Sequence, residues 1–260
     1  MQEVSRQEII DCLQQVGIAE GDGLLVHSAL QFLGRPRGGV EMYLDALDDV
    51  TGIVGIQAAG TLAVPTFNFD FAKNVEYDPA SAPSVGMGAF SEFVRQHPEA
   101  RRTTHPMQSF ALIGARAADL AVMDTPSAFD DNSAVDRMLS EDFKLLLLGA
   151  DIQAVSALHY SEQRVGVPYR YWKTFAGKIR RKGGWQDVEY KMYVRDMDID
   201  ARLEIYEIET ELRARGQWQS VKLNYGHIAA CRLRDFTDVT TELLAADPWR
   251  FVTNRPEVGG

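Results

Sequence analysis

The stretch Phe143–Arg164, FKLLLLGADIQAVSALHYSEQR, decides how the rest of the chain is read. Leu145 to Leu148 with Gly149 behind them form an apolar run that reads as a buried strand. A short polar loop follows, then the start of a helix carrying His159 and Glu162. At i and i+3 those two side chains share one helix face. A carboxylate beside an imidazole can fix the ring tautomer and strengthen it as a base, so that it takes a proton from a nucleophile near neutral pH. Strand, loop and then a base on a helix is the layout of an α/β active site.

Working outward, the N-terminal segment 4–16 carries Ile9, Ile10, Leu13 and Val16 at helical spacing, with Ser5 as N-cap and Gly17 as stop. Leu24-Leu25-Val26 is a short buried strand ending at His27-Ser28, and 39–55 reads as a helix. Gly60 to Pro65 is a second buried strand, halted by its proline. Further on, 87–97 and 115–123 read as helices, 109–113 as a strand and 130–139 as a loop entering a helix. Alternating helices and apolar strands imply parallel βαβ units. Residues 68–88 form a long loop of the functional or lid type. Beyond residue 165 an aromatic, basic stretch leads into Glu189–Val194, which alternates like an antiparallel strand. The spacing then predicts a charged helix over 199–214, a strand over 225–233 and a helix over 239–246. No repeat or low-complexity linker interrupts the chain. The expectation is one α/β domain spanning 1–260, with an antiparallel insertion near 165–195.

The 260 residues carry a net charge of -10, which argues against nucleic acid as a partner. No 18-residue apolar run predicts a membrane span, and the N-terminus lacks a signal-peptide layout. Cys12 and Cys231 make neither a disulfide framework nor a metal-type spacing. A cytoplasmic protein with reduced thiols and no metal is expected.

Three further segments join the opening stretch: VHSALQFLG (26–34), GTLAVPTFNFD (60–70) and the run from Tyr77 to Gly114 containing RRTTHPMQS. Together, in this order and spacing, they resemble the aminoglycoside 3-N-acetyltransferase family across about residues 5–250. The resemblance implies an α/β/α sandwich with a mostly parallel central sheet and a small antiparallel subregion. It implies an acyl-coenzyme A, normally acetyl-CoA, as co-substrate, and a primary amine of an aminoglycoside or amino sugar as acceptor. It makes His159 the general base and Glu162 its orienting partner. Coenzyme is expected along Ser28, Ala29, Leu30, Phe32 and Gly34, and beside Arg102, Thr103, Thr104, His105 and Ser109. Asp70, Tyr77 and Tyr160 are assigned to the acceptor, and a homodimer is a further expectation.

The family's resistance members usually carry Asn-Thr where this chain has Ala154-Val155-Ser156, and the stretch Tyr169–Lys173 is unlike theirs. These departures bear on the acceptor more than on the reaction. Two rival readings use the same residues. One is a metal-dependent hydrolase in which His27 or His105 converges on the pair. The other is a non-catalytic binding protein on the same scaffold. A Ser28 acyl-enzyme lacks the Gly-x-Ser-x-Gly elbow.

Overall fold

The computed structural model describes residues 2–255. Among these residues eleven strands and eight helices follow one another. The strands are β1 (Glu3–Val4), β2 (Gly23–Ser28), β3 (Arg35–Pro36), β4 (Thr61–Pro65), β5 (Arg101–Arg102), β6 (Phe110–Gly114), β7 (Lys144–Leu148), β8 (Arg170–Arg181), β9 (Gly184–Arg195), β10 (Gln219–Leu223) and β11 (Gly226–Arg232). The helices are α1 (Arg6–Gln15), α2 (Glu41–Thr51), α3 (Gly88–Gln96), α4 (Ala117–Ala121), α5 (Ala134–Ser140), α6 (Leu158–Val165), α7 (Tyr206–Ala214) and α8 (Leu233–Ala246). Ser5 caps α1 through a reciprocal box with Glu8, as the sequence predicts.

Seven strands form the main sheet in the order β10-β11-β7-β2-β4-β6-β5. Its centre, β7-β2-β4, is parallel. β6 and β11 run against it, and the outer β5 and β10 reverse again. The parallel units read from the sequence are therefore found at the centre and give way to antiparallel pairs at both flanks.

Every central strand is apolar on both faces because both are covered. Leu24, Val26, Leu62, Val64, Leu146 and Leu148 share a core with α1, α2 and α3. Leu25, Ala63, Leu145 and Leu147 share another with α5, α6, α7 and α8. Helices on both faces of one sheet make the α/β/α sandwich.

The antiparallel subregion is the ribbon β8-β9, paired over its whole length from Arg170↔Arg195 to Arg181↔Gly184. Its inner face carries Phe175, Ile179, Tyr190 and Met192 onto Phe71, Tyr77 and Met107, forming a third, smaller core. Two readings need correction. The helix predicted over 199–214 begins only at Tyr206: Asp200 has a left-handed backbone (φ 47°), and Leu203 bridges Val252 in extended form. The last helix starts earlier than predicted, at Leu233, directly after β11. Among the described residues no helix is long and apolar enough to cross a membrane.

Candidate active site

The three parallel strands end on one side of the sheet, at Ser28, Pro65 and Leu148. In open α/β sheets that carboxyl edge is where ligands bind. The β7 exit is tight. Gly149 has φ 70°, and a Cβ on it would lie 2.7 Å from the Ala29 carbonyl oxygen, so only glycine fits. The chain then makes a short turn at Ile152–Ala154, capped by Asp151, and enters α6.

His159 stands in the first turn of α6 with its ring 33% exposed, whereas Glu162 is wholly buried. Their side chains meet at 2.6 Å, His159 Nδ1 to Glu162 Oε2. The carboxylate therefore holds the proton on Nδ1 and leaves Nε2 with no protein partner among the described residues. Phe129 packs edge-on to the ring at 5.9 Å between centroids.

A buried carboxylate needs compensating charge. Arg170, at the root of β8, places Nε 2.8 Å from the same Glu162 oxygen, as an ion pair rather than an aligned hydrogen bond. Burial pushes the Glu162 carboxyl up, but the His159 hydrogen bond and the His159 and Arg170 charges outweigh it, so it lies below its ordinary value and is ionised. Tyr169 sits beside this group. Its hydroxyl and Glu162 Oε1 are both buried without a hydrogen-bond partner. Burial, and then the nearby Glu162 charge, push the Tyr169 hydroxyl up and keep it neutral. Nothing in the sequence spacing points to Arg170 or Tyr169, because they reach Glu162 through the fold. Tyr169 lies in the core, with its ring against Trp249.

Of the expected coenzyme residues, Ser28, Ala29 and Leu30 stand partly open at the end of β2. Phe32 is exposed, and Gly34 packs against the Gln2 carbonyl and Asn224. The α3 N-terminus abuts Ser28 closely: a Cβ on Gly88 would lie 3.3 Å from the Ser28 carbonyl oxygen. A strand end facing a helix N-terminus suits phosphate or carbonyl oxygens.

The second expected group is placed differently. Arg102 donates to Ser109 Oγ at 2.9 Å and to the Thr66 carbonyl at 2.6 Å, and it covers the Tyr77 ring. Thr103 Oγ1 accepts from the Phe110 amide, and Thr104 donates to Met123 O. His105 is buried, accepts the Gln108 amide on Nδ1 at 3.0 Å and meets the Lys191 carbonyl through Nε2 at 3.3 Å. Ser109 is wholly buried. These polar atoms are bonded within the protein, so the segment ties the 66–82 loop and the ribbon to the sheet, while Thr103 and His105 also line a narrow cleft with Gln108 and Ser133. Tyr77, assigned to the acceptor, is likewise buried under Arg102 with its hydroxyl towards Ser109. Asp70 is half-buried and paired with Lys73, in a cleft with Glu76 and Trp185. Tyr160 follows His159 in α6, and its hydroxyl donates to Asp136 at 3.2 Å.

Neither of the other two candidate histidines joins the pair. His27 accepts the Ser156 amide at 3.4 Å, and burial pushes it down to about 4. Burial pushes His105 to about 4 as well. Among the described residues no three His, Cys, Asp or Glu side chains come together to hold a metal ion.

An α/β/α sandwich that carries, at its carboxyl edge, a partly exposed imidazole on a buried, ionised carboxylate has the layout of an α/β enzyme. The chain matches the model of one such family, aminoglycoside 3-N-acetyltransferase, over residues 25–245, and it belongs to that family. It is an acyl-coenzyme A-dependent N-acyltransferase. It is 28% identical over 258 residues to an aminoglycoside N(3)-acetyltransferase III of Salmonella sp, covering 91% of this chain and 89% of the relative. Among solved structures, a binary complex of AAC-IIIb with CoASH superposes with a TM-score of 0.83 at 22% identity, over 98% of this chain and all of the other. A mutant of aminoglycoside acetyltransferase AAC(3)-IVa in complex with a gentamicin gives 0.77 at 23% identity, over 98% and 93% of the two chains.

Proposed function

We propose that this protein moves an acetyl group from acetyl-CoA to a primary amine of an aminoglycoside or amino sugar, by direct attack with His159 as general base. The carrying observation is the 2.6 Å contact between His159 Nδ1 and the buried Glu162, which leaves Nε2 free. Sugar amines are largely protonated in water and must lose a proton before they attack. That first proton goes to solvent, and the imidazole takes a second N–H proton as the nitrogen lone pair adds to the thioester carbonyl carbon. The tetrahedral adduct then collapses, the C–S bond breaks, and the proton passes from His159 to the departing thiolate sulfur. Glu162, ionised throughout, stabilises the imidazolium formed on the way, and Arg170 keeps Glu162 ionised.

The thioester end of the coenzyme lies along Ser28–Leu30 in this reading, where the strand end meets the α3 N-terminus. The reaction runs in the cytoplasm, where acetyl-CoA is made. Both cysteines are buried, and burial raises both thiols, which supports a route without a covalent cysteine intermediate. Thiol release from acetyl-CoA, followed with amines of both classes, tests the proposal. Amine-dependent release that disappears in His159→Ala supports it. Release that survives the substitution within about threefold removes His159 as the base.

A further inference from the structure

Next to the base, a cleft of about 400 Å³ is lined by Asp130, Trp172, Thr174 and Lys191. It adjoins His159 in two ways. Phe129, against the imidazole, precedes Asp130. Gln163, one helical turn beyond His159, donates to Asp130 Oδ1 at 2.8 Å. The far wall is the ribbon. Trp172 pairs with Tyr193 and Thr174 with Lys191, so these side chains leave the same face.

The charges around this cleft are uneven. Asp131 and Asp136 are paired with Arg164, and Asp124 with Arg181. Asp130 already accepts from the Ser127 amide and from Gln163. Lys191, by contrast, has no carboxylate within ion-pair distance among the described residues. Its backbone is nonetheless fixed on both sides. The Lys191 N–H donates to Pro126 O at 2.7 Å, and its carbonyl accepts from His105 Nε2 at 3.3 Å. The His105 tautomer is set by the Gln108 amide bonded to Nδ1. A free ammonium on a pinned backbone thus faces a cavity whose other charge is a single carboxylate.

Resting on the transferase reading above, we propose that Lys191 reads an anionic group on the acceptor, so that the amine this protein acylates is an amino sugar bearing a phosphate. Asp130 faces the substrate ammonium, Trp172 offers an aromatic face to the sugar ring, and Lys191 takes the phosphate oxygens by a charge-assisted contact. A polyammonium aminoglycoside would instead bring several positive charges to the Lys191 ammonium.

The test uses glucosamine and its 1- and 6-phosphates, titrated by calorimetry into protein loaded with coenzyme A, with gentamicin as the polycation. At least one phosphate should bind about tenfold or more tightly than glucosamine, the scale of one hydrogen bond to a charged group. Lys191→Gln should erase that difference and Lys191→Arg should keep it. Equal binding of all three sugars overturns the inference, as does a phosphate preference that survives Lys191→Gln. A Lys191→Gln effect confined to the KM of acetyl-CoA also overturns it, because the anion would then be the coenzyme's own phosphate. Thiol release in the same mixtures separates this inference from the one beneath it. A phosphate that binds through Lys191 and is never acetylated, while gentamicin is, overturns this inference and leaves the transferase reading standing. Tight binding of the phosphate through Lys191 with no amine-dependent thiol release from any of these amines counts instead against the transferase reading beneath it.

Discussion

Glu162→Gln is the perturbation that interrogates the site most directly, because it changes one charge and almost no volume. Two unit charges about 4 Å apart at an effective dielectric of about 20 interact by about 4 kcal/mol. The His159 ring is 33% exposed, and solvent screening brings this to about 2 kcal/mol. Loss of that stabilisation for the imidazolium formed during transfer is worth about thirtyfold in rate. A second consequence concerns stability. Arg170 is only 13% exposed and loses its counter-charge, which costs about 3 kcal/mol. Converting Arg170 to Met in the same molecule should recover most of that stability in urea unfolding and none of the rate. Thiol release across pH, read beside unfolding curves of the single and double variants, checks both halves. A single variant within about threefold of the parent rate refutes the coupling between carboxylate and ring.

His159→Ala should lower kcat by about a hundredfold or more while acetyl-CoA binding measured by calorimetry is retained, as for a lost general base. Stability should fall as pH drops from about 6.5 to about 4. His27 and His105 are held neutral down to about 4 in the folded chain, so over that window the unfolded chain binds the extra protons. Each contributes on the order of 3 kcal/mol to that loss, and replacing His105 by Asn should flatten the slope in urea melts taken at several pH values. Arg102→Met should destabilise the fold by about 3 kcal/mol in the same melts, because it removes the guanidinium and leaves the Thr66 carbonyl and the buried Ser109 hydroxyl without its hydrogen bonds. Thiol-modifying reagents should leave acetyl transfer intact in the folded protein, because Cys12 and Cys231 are buried and held as thiols.

The centre of the fold was readable because it is built from short-range pattern. Leu24–Val26, Leu62–Val64 and Leu145–Leu148 are apolar on consecutive residues, which only strands covered on both faces require. The His159–Glu162 pair was readable for the same reason, since i and i+3 on a helix are neighbours wherever the helix sits. What escaped was long-range. β10 is a partly exposed edge strand with no apolar run, and the first strand of the ribbon is mostly open to solvent, so neither carries a burial pattern. Arg170 meets Glu162 only because α6 and β8 converge. Thr103, His105 and Ser109 have the composition of a ligand loop, yet their polar atoms are turned inward to hold other segments. Residue type says which bonds a side chain can make, and only the fold decides whether a ligand or a neighbouring loop makes them.

The ribbon β8-β9 joins two roles on adjacent residues. Arg170 at its root compensates the buried Glu162 carboxylate, and Trp172, two positions on, walls the cleft. Grafting the ribbon of one family member onto another should therefore transfer acceptor preference only when the donor segment keeps an arginine at its first position. A graft without it would exchange the wall of the cleft and strip Glu162 of its counter-charge in the same stroke.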